Sequence, residues 1–242
     1  MEKGQVNIIV LHVEHGYEDR ERHIERMLGR MGLKWEWMLD GDIPKLRKED
    51  EERWFALSFR ETHTLAEMSC TMKHLLACRR ILDAGMPGAL ILEDDIVLSK
   101  RFPRIFGASL EEARREGRDG GIISYEDTRL QFVPRSQRER GRYLYEGKND
   151  RMAGCMYISA EGARKVLEGA EKHKVDRPID NFHNLLRSRG ELPYYWCQPT
   201  VATQGSFTGL FPSSLTKRYP QWLTPLVWGF KINYKKLLYN LR

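Results

Sequence analysis

The amino-acid sequence predicts an α/β fold with a mainly parallel central sheet flanked by helices. Strand-like and helix-like segments alternate along the chain. The first forty residues form a strand–helix–strand unit, and its connection of about twenty residues suits a parallel crossover. Farther on, Ala89-Leu90-Ile91-Leu92 is a continuous apolar run of strand length, as expected of a strand covered on both faces.

The elements follow in order. Val6 to Leu11 is short, β-branched and bounded by polar residues, which predicts a buried strand. Between Arg20 and Met31, the side chains of Ile24, Met27, Leu28 and Met31 recur at helical spacing, and Gly32 supplies a stop. Lys34 to Leu39 alternates and predicts a second strand. Residues 44–62 are dense in charge and predict loop and short helix. Leu65 to Ala84 carries an apolar helical face of Met68, Met72, Leu75, Leu76, Ile81 and Leu82, ended by Gly85-Met86-Pro87-Gly88. After the 89–92 strand, Pro103 to Glu116 predicts a helix and Gly121 to Tyr125 a buried strand. Residues 126–150 show little periodicity and predict a mobile loop. Ala153 to Ser159 predicts a strand, Ala160 to Ala170 and Asp180 to Arg189 helices, and Tyr194 to Gln204 a late strand pair.

A chain of 242 residues, 41% hydrophobic and 31% charged, has the composition of a folded domain and not of a disordered one. No window approaches the ~18–20 apolar residues of a membrane span, and the first apolar run lacks a cleavage site. A cytoplasmic location is the expectation. Four scattered cysteines indicate neither a disulfide framework nor a zinc ribbon. Cys70, His74 and Cys78 fall at i, i+4 and i+8 on one helix face. With no fourth ligand in reach, they are taken as a buried stripe.

The net charge of +6 is concentrated at one end. From Thr216 onward there are six basic residues (Lys217, Arg218, Lys231, Lys235, Lys236, Arg242) and no acidic one. The rest of the chain balances. Trp222, Trp228, Phe230 and Tyr239 interleave with these charges, a pattern suited to an anionic membrane surface. Packing on the domain is the plainer alternative, and nucleic acid is not the expected partner. The division expected is a catalytic domain over residues 1–206 and a basic, aromatic tail over 207–242.

Glu93-Asp94-Asp95 ends the 89–92 strand abruptly, at the place where open parallel sheets bind ligands. Three adjacent carboxylates repel one another unless a cation neutralises them. Hard oxygen donors suit Mg²⁺ or Mn²⁺, and such an ion can hold a diphosphate. A solvated acidic turn capping the next helix is the alternative.

Several blocks in order then resemble the family-25 glycosyltransferases, which build bacterial lipopolysaccharide or lipooligosaccharide and include the collagen galactosyltransferases. Ile8 to Leu11 with Arg20-Glu21-Arg22 resembles the family's first strand and basic turn. Glu67 to His74 is similar to its Glu-x-Ser/Gly-Cys-x-x-Ser-His block, with Lys73 replacing Ser, and Leu92 to Asp95 to its acidic motif. Ala153 to Ser159 with Gly162 to Lys165, Arg177 to Asp180, and Pro199 to Gln204 with Ser206 resemble the closing blocks. The first turn, His12-Val13-Glu14-His15-Gly16, departs from the usual Asn-Leu-basic-Arg pattern.

The resemblance implies a GT-A-like nucleotide-sugar-binding fold, an inverting transfer, and galactose from UDP-galactose as the favoured donor. The acceptor it implies is a lipopolysaccharide, lipooligosaccharide or other glycan or glycolipid. Mn²⁺ or Mg²⁺ is expected on Glu93 and Asp95. Donor contacts are expected from Arg20, Arg22, Glu67, Glu93 and Asp94, with His74 and Gln204 as second choices. Asp180, just after Pro178 at a helix start, is the candidate general base, and a helix N-cap is its alternative. A lipid-linked acceptor gives a reason for peripheral attachment of the tail to the inner face of the cytoplasmic membrane. The competing readings are a non-catalytic sugar-nucleotide or glycan-binding module and a metal-dependent phosphohydrolase, which needs further Asp or His ligands.

Overall fold

The alternating apolar segments assemble into one seven-stranded sheet. In the computed structural model, which describes residues 6–212, 220 and 222–242, the chain begins with β1 (Asn7–Leu11), α1 (Glu18–Arg30) and β2 (Glu36–Met38). The first residues, Met1 to Gly4, and the tail residues Lys217, Arg218 and Tyr219 lie outside the described residues. A 3₁₀ turn and two short helices, α2 (Lys48–Trp54) and α3 (Phe59–Thr62), lead into the long α4 (Leu65–Asp83). Next come β3 (Gly88–Glu93), β4 (Ile96–Leu98), α5 (Phe102–Arg115), β5 (Ile122–Ser124), β6 (Leu144–Glu146) and β7 (Cys155–Ser159). The chain closes with α6 (Ala160–His173), α7 (Ile179–Ser188), β8 (Tyr194–Cys197), β9 (Ala202–Gln204), α8 (Gly205–Thr208) and α9 (Thr224–Leu241).

The strand order is β2-β1-β3-β7-β5-β8-β6. β2, β1, β3, β5 and β8 run one way, and β7 and β6 run the other. β4 and β9 form a separate antiparallel pair. The sheet is therefore mostly parallel, as the sequence predicts, with an inserted β7 and an antiparallel edge.

Both faces of the sheet are covered, which explains the unbroken apolar runs. Ile9, Leu11, Ala89 and Ile91 point to a core shared with α4, α6 and α7. The alternate residues Ile8, Val10, Leu90 and Leu92 face α1 and α5. α4 starts on a full capping box: Thr64 Oγ1 accepts from the Glu67 amide, and the Glu67 carboxylate accepts from the Thr64 amide.

One expectation changes. Residues 126–150 are not a mobile loop: Glu126, Asp127, Thr128, Phe132, Val133, Leu144 and Tyr145 are buried, and β6 adds the last strand of the sheet. The segment lacks periodicity because its polar residues are paired in the interior and its apolar ones come in adjacent couples. The described part of the tail touches the domain. Trp228 packs edge-on against Phe207 and Tyr239 against Phe132, while Lys236 lies 3.7 Å from the Asp127 carboxylate.

Backbone approach is tightest where β5 meets β8. A Cβ on Gly121 would lie 2.1 Å from the Pro193 carbonyl oxygen, which accepts the Ile122 amide. Gly121→Ala is expected to destabilise the fold by about 1–3 kcal/mol in urea unfolding. Gly107→Ala, in α5 with nothing within 4 Å of the added carbon, should be neutral or stabilising.

Candidate functional site

The site lies beyond the carboxyl ends of the parallel strands. Here β3, the segment after β5, the approach to β7 and the first turns of α4 and α7 converge on a cleft of about 1080 Å³. Arg20, Glu67, Cys70, Glu93, Asp95 and Asp180 all line it. α8 and α9 form another wall through Phe207, Val227, Trp228 and Lys231.

Alternation at the end of β3 separates the three carboxylates. Glu93 and Asp95 face the cleft, whereas Asp94 points away and is buried. Asp94 Oδ2 lies 2.8 Å from His12 Nδ1, and Oδ1 accepts from Arg20 at 2.8 Å. Asp94 is thus committed to tying the β3 end to the β1–α1 turn and does not line the cleft, so the expectation of a donor contact there is not met. His12 occupies the turn whose sequence departs from the family pattern, and this hydrogen-bond contact with Asp94 is what it does there.

Arg20 also donates to the Pro212 carbonyl and stacks over the rings of Tyr17 and Phe211. Arg22 is different. It sits on the solvent side of α1 paired with Asp19 and is not part of the cleft. One helical position apart by two residues turns the side chain to the opposite face.

Asp95 is almost fully buried. Its Oδ2 accepts from the Ser206 amide at 3.0 Å, and its Oδ1 has no hydrogen-bond partner among the described residues. Burial, and then the Glu93 charge, push its pKa up to about 6, although Arg20 acts against them. An orphaned, desolvated carboxylate oxygen beside a second carboxylate is what a bound cation would relieve, so these residues fit a divalent ion.

Glu93 has further neighbours. Cys70 Sγ donates to its Oε1 at 3.7 Å, His74 Nε2 lies 3.5 Å from the same oxygen, and Gln204 Nε2 donates to Oε2 at 3.3 Å. Cys70, His74 and Glu93 are the group of three potential ligands found among the described residues. Cys78, the third member of the helix stripe, is buried in the core below. Gln204 is held by close packing, since a Cβ on Gly154 would lie 2.5 Å from its Nε2.

Glu67 lines the cleft, but its Oε2 accepts from both the amide and the hydroxyl of Thr64. Its capping role is the one its geometry serves. Asp180 is at the second position of α7, where Pro178 is the N-cap, so it is not the cap residue itself. Its Oδ1 accepts from the Asn181 amide at 2.8 Å and its Oδ2 from Arg129 at 2.5 Å. Arg129 also reaches Asp150 Oδ1 at 2.6 Å.

Arg129 and the buried acids before it are residues that the sequence reading missed. Glu126-Asp127 follows the apolar strand 121–125 just as Glu93-Asp94-Asp95 follows 89–92, so the same strand-end rule flags them. Glu126 is fully enclosed. Its Oε1 accepts from the amides of Gly154 and Cys155 at 2.7 and 3.3 Å, and its Oε2 from Thr128 Oγ1 at 2.6 Å. Burial holds its pKa well above the usual carboxylate range despite these donors. Thr128 Oγ1 also accepts from the Gln204 amide, so Glu126 underpins the residue that holds Glu93.

A sequence model of glycosyltransferase family 25 (LPS biosynthesis protein) matches residues 15–183. The chain belongs to glycosyltransferase family 25. It is similar to procollagen galactosyltransferase 1 of Danio rerio, 26% identical over 133 residues, which covers 54% of this chain and 22% of that protein. The matched stretch thus spans about a fifth of the relative's length. Among solved structures, a sucrose-bound Bacillus anthracis protein described as a glucose-1-phosphate thymidylyltransferase overlaps with a TM-score of 0.39 at 14% identity, over 81% of this chain and 70% of that one. That likeness is too loose to carry fold or chemistry across.

The buried acid gives a pH prediction. A carboxyl whose folded pKa is raised contributes stability that is fully present below its unfolded pKa of about 4.3 and is lost as pH rises toward the folded value. Glu126→Gln keeps an acceptor for the Gly154 amide and removes the titration. Its stability relative to wild type should therefore increase from pH ~4.5 upward, by at most ~1.4 kcal/mol per pH unit, in urea unfolding across a pH series. A constant difference across the series is incompatible with a neutral Glu126.

Proposed function

We propose that the protein is a hexosyltransferase that moves a sugar, with galactose from UDP-galactose favoured, from a nucleotide donor to a glycan or glycolipid acceptor with inversion. The observation that carries the reading is the cleft at the strand ends of a family-25 chain, lined together by Glu93, Asp95, Arg20, Asp180 and Arg129. Displacement at an anomeric carbon calls for charge stabilisation at the leaving group and a general base for the acceptor hydroxyl, and this lining holds residue types for both. A GT-A-like description of the fold belongs to this same reading.

The acceptor hydroxyl oxygen bonds to the anomeric carbon as the bond to the diphosphate oxygen breaks. The hydroxyl proton passes to Asp180. Both oxygens of Asp180 are engaged, by Arg129 and by the Asn181 amide. Diphosphate charge entering the cleft competes for the Arg129 guanidinium, which loosens its hold on Asp180 and prepares the base. Arg20, already facing the cleft, adds positive charge on the donor side. Mn²⁺ or Mg²⁺ held by Glu93 and Asp95 supplies Lewis-acid stabilisation of the departing diphosphate when bound.

The acceptor side involves α9. One face of this helix packs on the domain through Trp228, Lys236 and Tyr239. On the opposite face Leu226, Phe230, Tyr234, Leu237 and Leu241 are each more than half exposed. Lys231 and Lys235 flank this stripe, and residues 216–242 contain no acidic side chain. That combination favours an anionic lipid surface, the setting of a lipid-linked acceptor. No helix of the described residues is long and apolar enough to cross a membrane.

Asp180→Asn should bind the nucleotide donor with near-wild-type affinity yet lose transfer by a factor of about 10²–10⁴, measured with a panel of nucleotide sugars and glycan acceptors. Near-wild-type turnover removes Asp180 as the base. In co-sedimentation with anionic vesicles, Phe230→Glu with Leu237→Glu should release a protein that otherwise pellets. Equal pelleting of wild type and variant rules out the stripe as the lipid-binding face.

A further inference from the structure

We propose that Cys70 Sγ, His74 Nε2 and Glu93 Oε1 form a three-ligand site for a borderline transition-metal ion of the Zn²⁺ class, with the fourth position open to the cleft. Cys70 and His74 are four residues apart and share one face of α4, and Glu93 meets them from the end of β3. Glu93 Oε1 is 3.7 Å from the thiol and 3.5 Å from the imidazole nitrogen, and all three donor atoms lie within 4.8 Å of one another. Metal bonds of about 2.0–2.3 Å at tetrahedral angles place neighbouring ligand atoms about 3.3–3.8 Å apart. The cluster is therefore near the required spacing before any ion enters.

His74 supplies the second observation. Its ring is fully buried, and neither nitrogen has a hydrogen-bond partner among the described residues. Burying an imidazole without a partner is costly, and a metal on Nε2 relieves that nitrogen's share of the cost. Cys70 and Glu93 both line the cleft, so a ligand can reach the remaining position. Thiolate with imidazole discriminates against Mg²⁺ and favours Zn²⁺-like ions. Binding displaces the thiol proton to solvent, leaving thiolate, neutral imidazole and carboxylate around a dication.

This site shares Glu93 with a cation on Glu93 and Asp95 and differs from it in depending on sulfur and not on Asp95. It rests on ligand geometry, independently of sugar transfer. The test is Co²⁺ titration of the metal-stripped full chain, followed by absorption spectroscopy. The expected result is a sulfur-to-cobalt charge-transfer band with strong visible bands of four-coordinate Co²⁺. The charge-transfer band should vanish in Cys70→Ser and persist in Cys78→Ser and Asp95→Asn. His74→Ala should weaken Co²⁺ binding at least tenfold. Absence of the band in wild type overturns the proposal without any variant. A band that survives Cys70→Ser does the same. Binding lost in Asp95→Asn but kept in Cys70→Ser moves the cation to the carboxylate pair, which sinks this site and leaves the donor-binding reading of the cleft intact.

Discussion

Three consecutive carboxylates at the end of a buried strand repel one another, and the ion pair of Asp94 with Arg20, with its hydrogen-bond contact to His12, is the constraint on which the cleft depends. Because Asp94 is neutralised behind the strand, Glu93 and Asp95 can remain together in front of it. The same contacts fix the β1–α1 turn and direct Arg20 toward the cleft. Removing Asp94 would take its carboxylate partner from the half-buried Arg20 guanidinium and from the buried His12 imidazole, a loss that usually exceeds the worth of the pair itself.

Polar support continues outward from this point in layers. Gln204 steadies Glu93, Thr128 steadies the Gln204 amide, and Glu126 holds Thr128 and the Gly154 backbone. The Gly154 carbonyl in turn accepts the Glu93 amide. The cleft is thus the exposed end of a closed hydrogen-bond network whose inner member is a buried acid. Such networks specify one arrangement when every member is satisfied, and at this rim Asp95 Oδ1 and both nitrogens of His74 have no hydrogen-bond partner among the described residues.

Much of the architecture was legible in sequence because it rests on short-range periodicity. The runs 89–92 and 153–159 announced buried strands, and the stripe from Met68 to Leu82 announced α4. The strand-end position of Glu93 and Asp95 followed from those runs. What periodicity cannot carry is long-range pairing. Arg129 meets Asp180 across 51 positions, and Glu93 meets Cys70 across 23, so neither contact has a local signature. Arg22 shows the converse, a residue that matches a basic motif while its side chain turns to solvent. The segment 126–150 looked mobile because interior pairing of polar residues is invisible in a pattern built from apolar spacing.

α9 carries one further consequence. Its inner face is a wall of the cleft, and its outer stripe is apolar and exposed. A group that fills the cleft touches the inner face and loses that contact if the helix leaves, so it favours docking. A surface that meets only the outer stripe meets it equally in either state, so the two faces of one helix can be occupied independently.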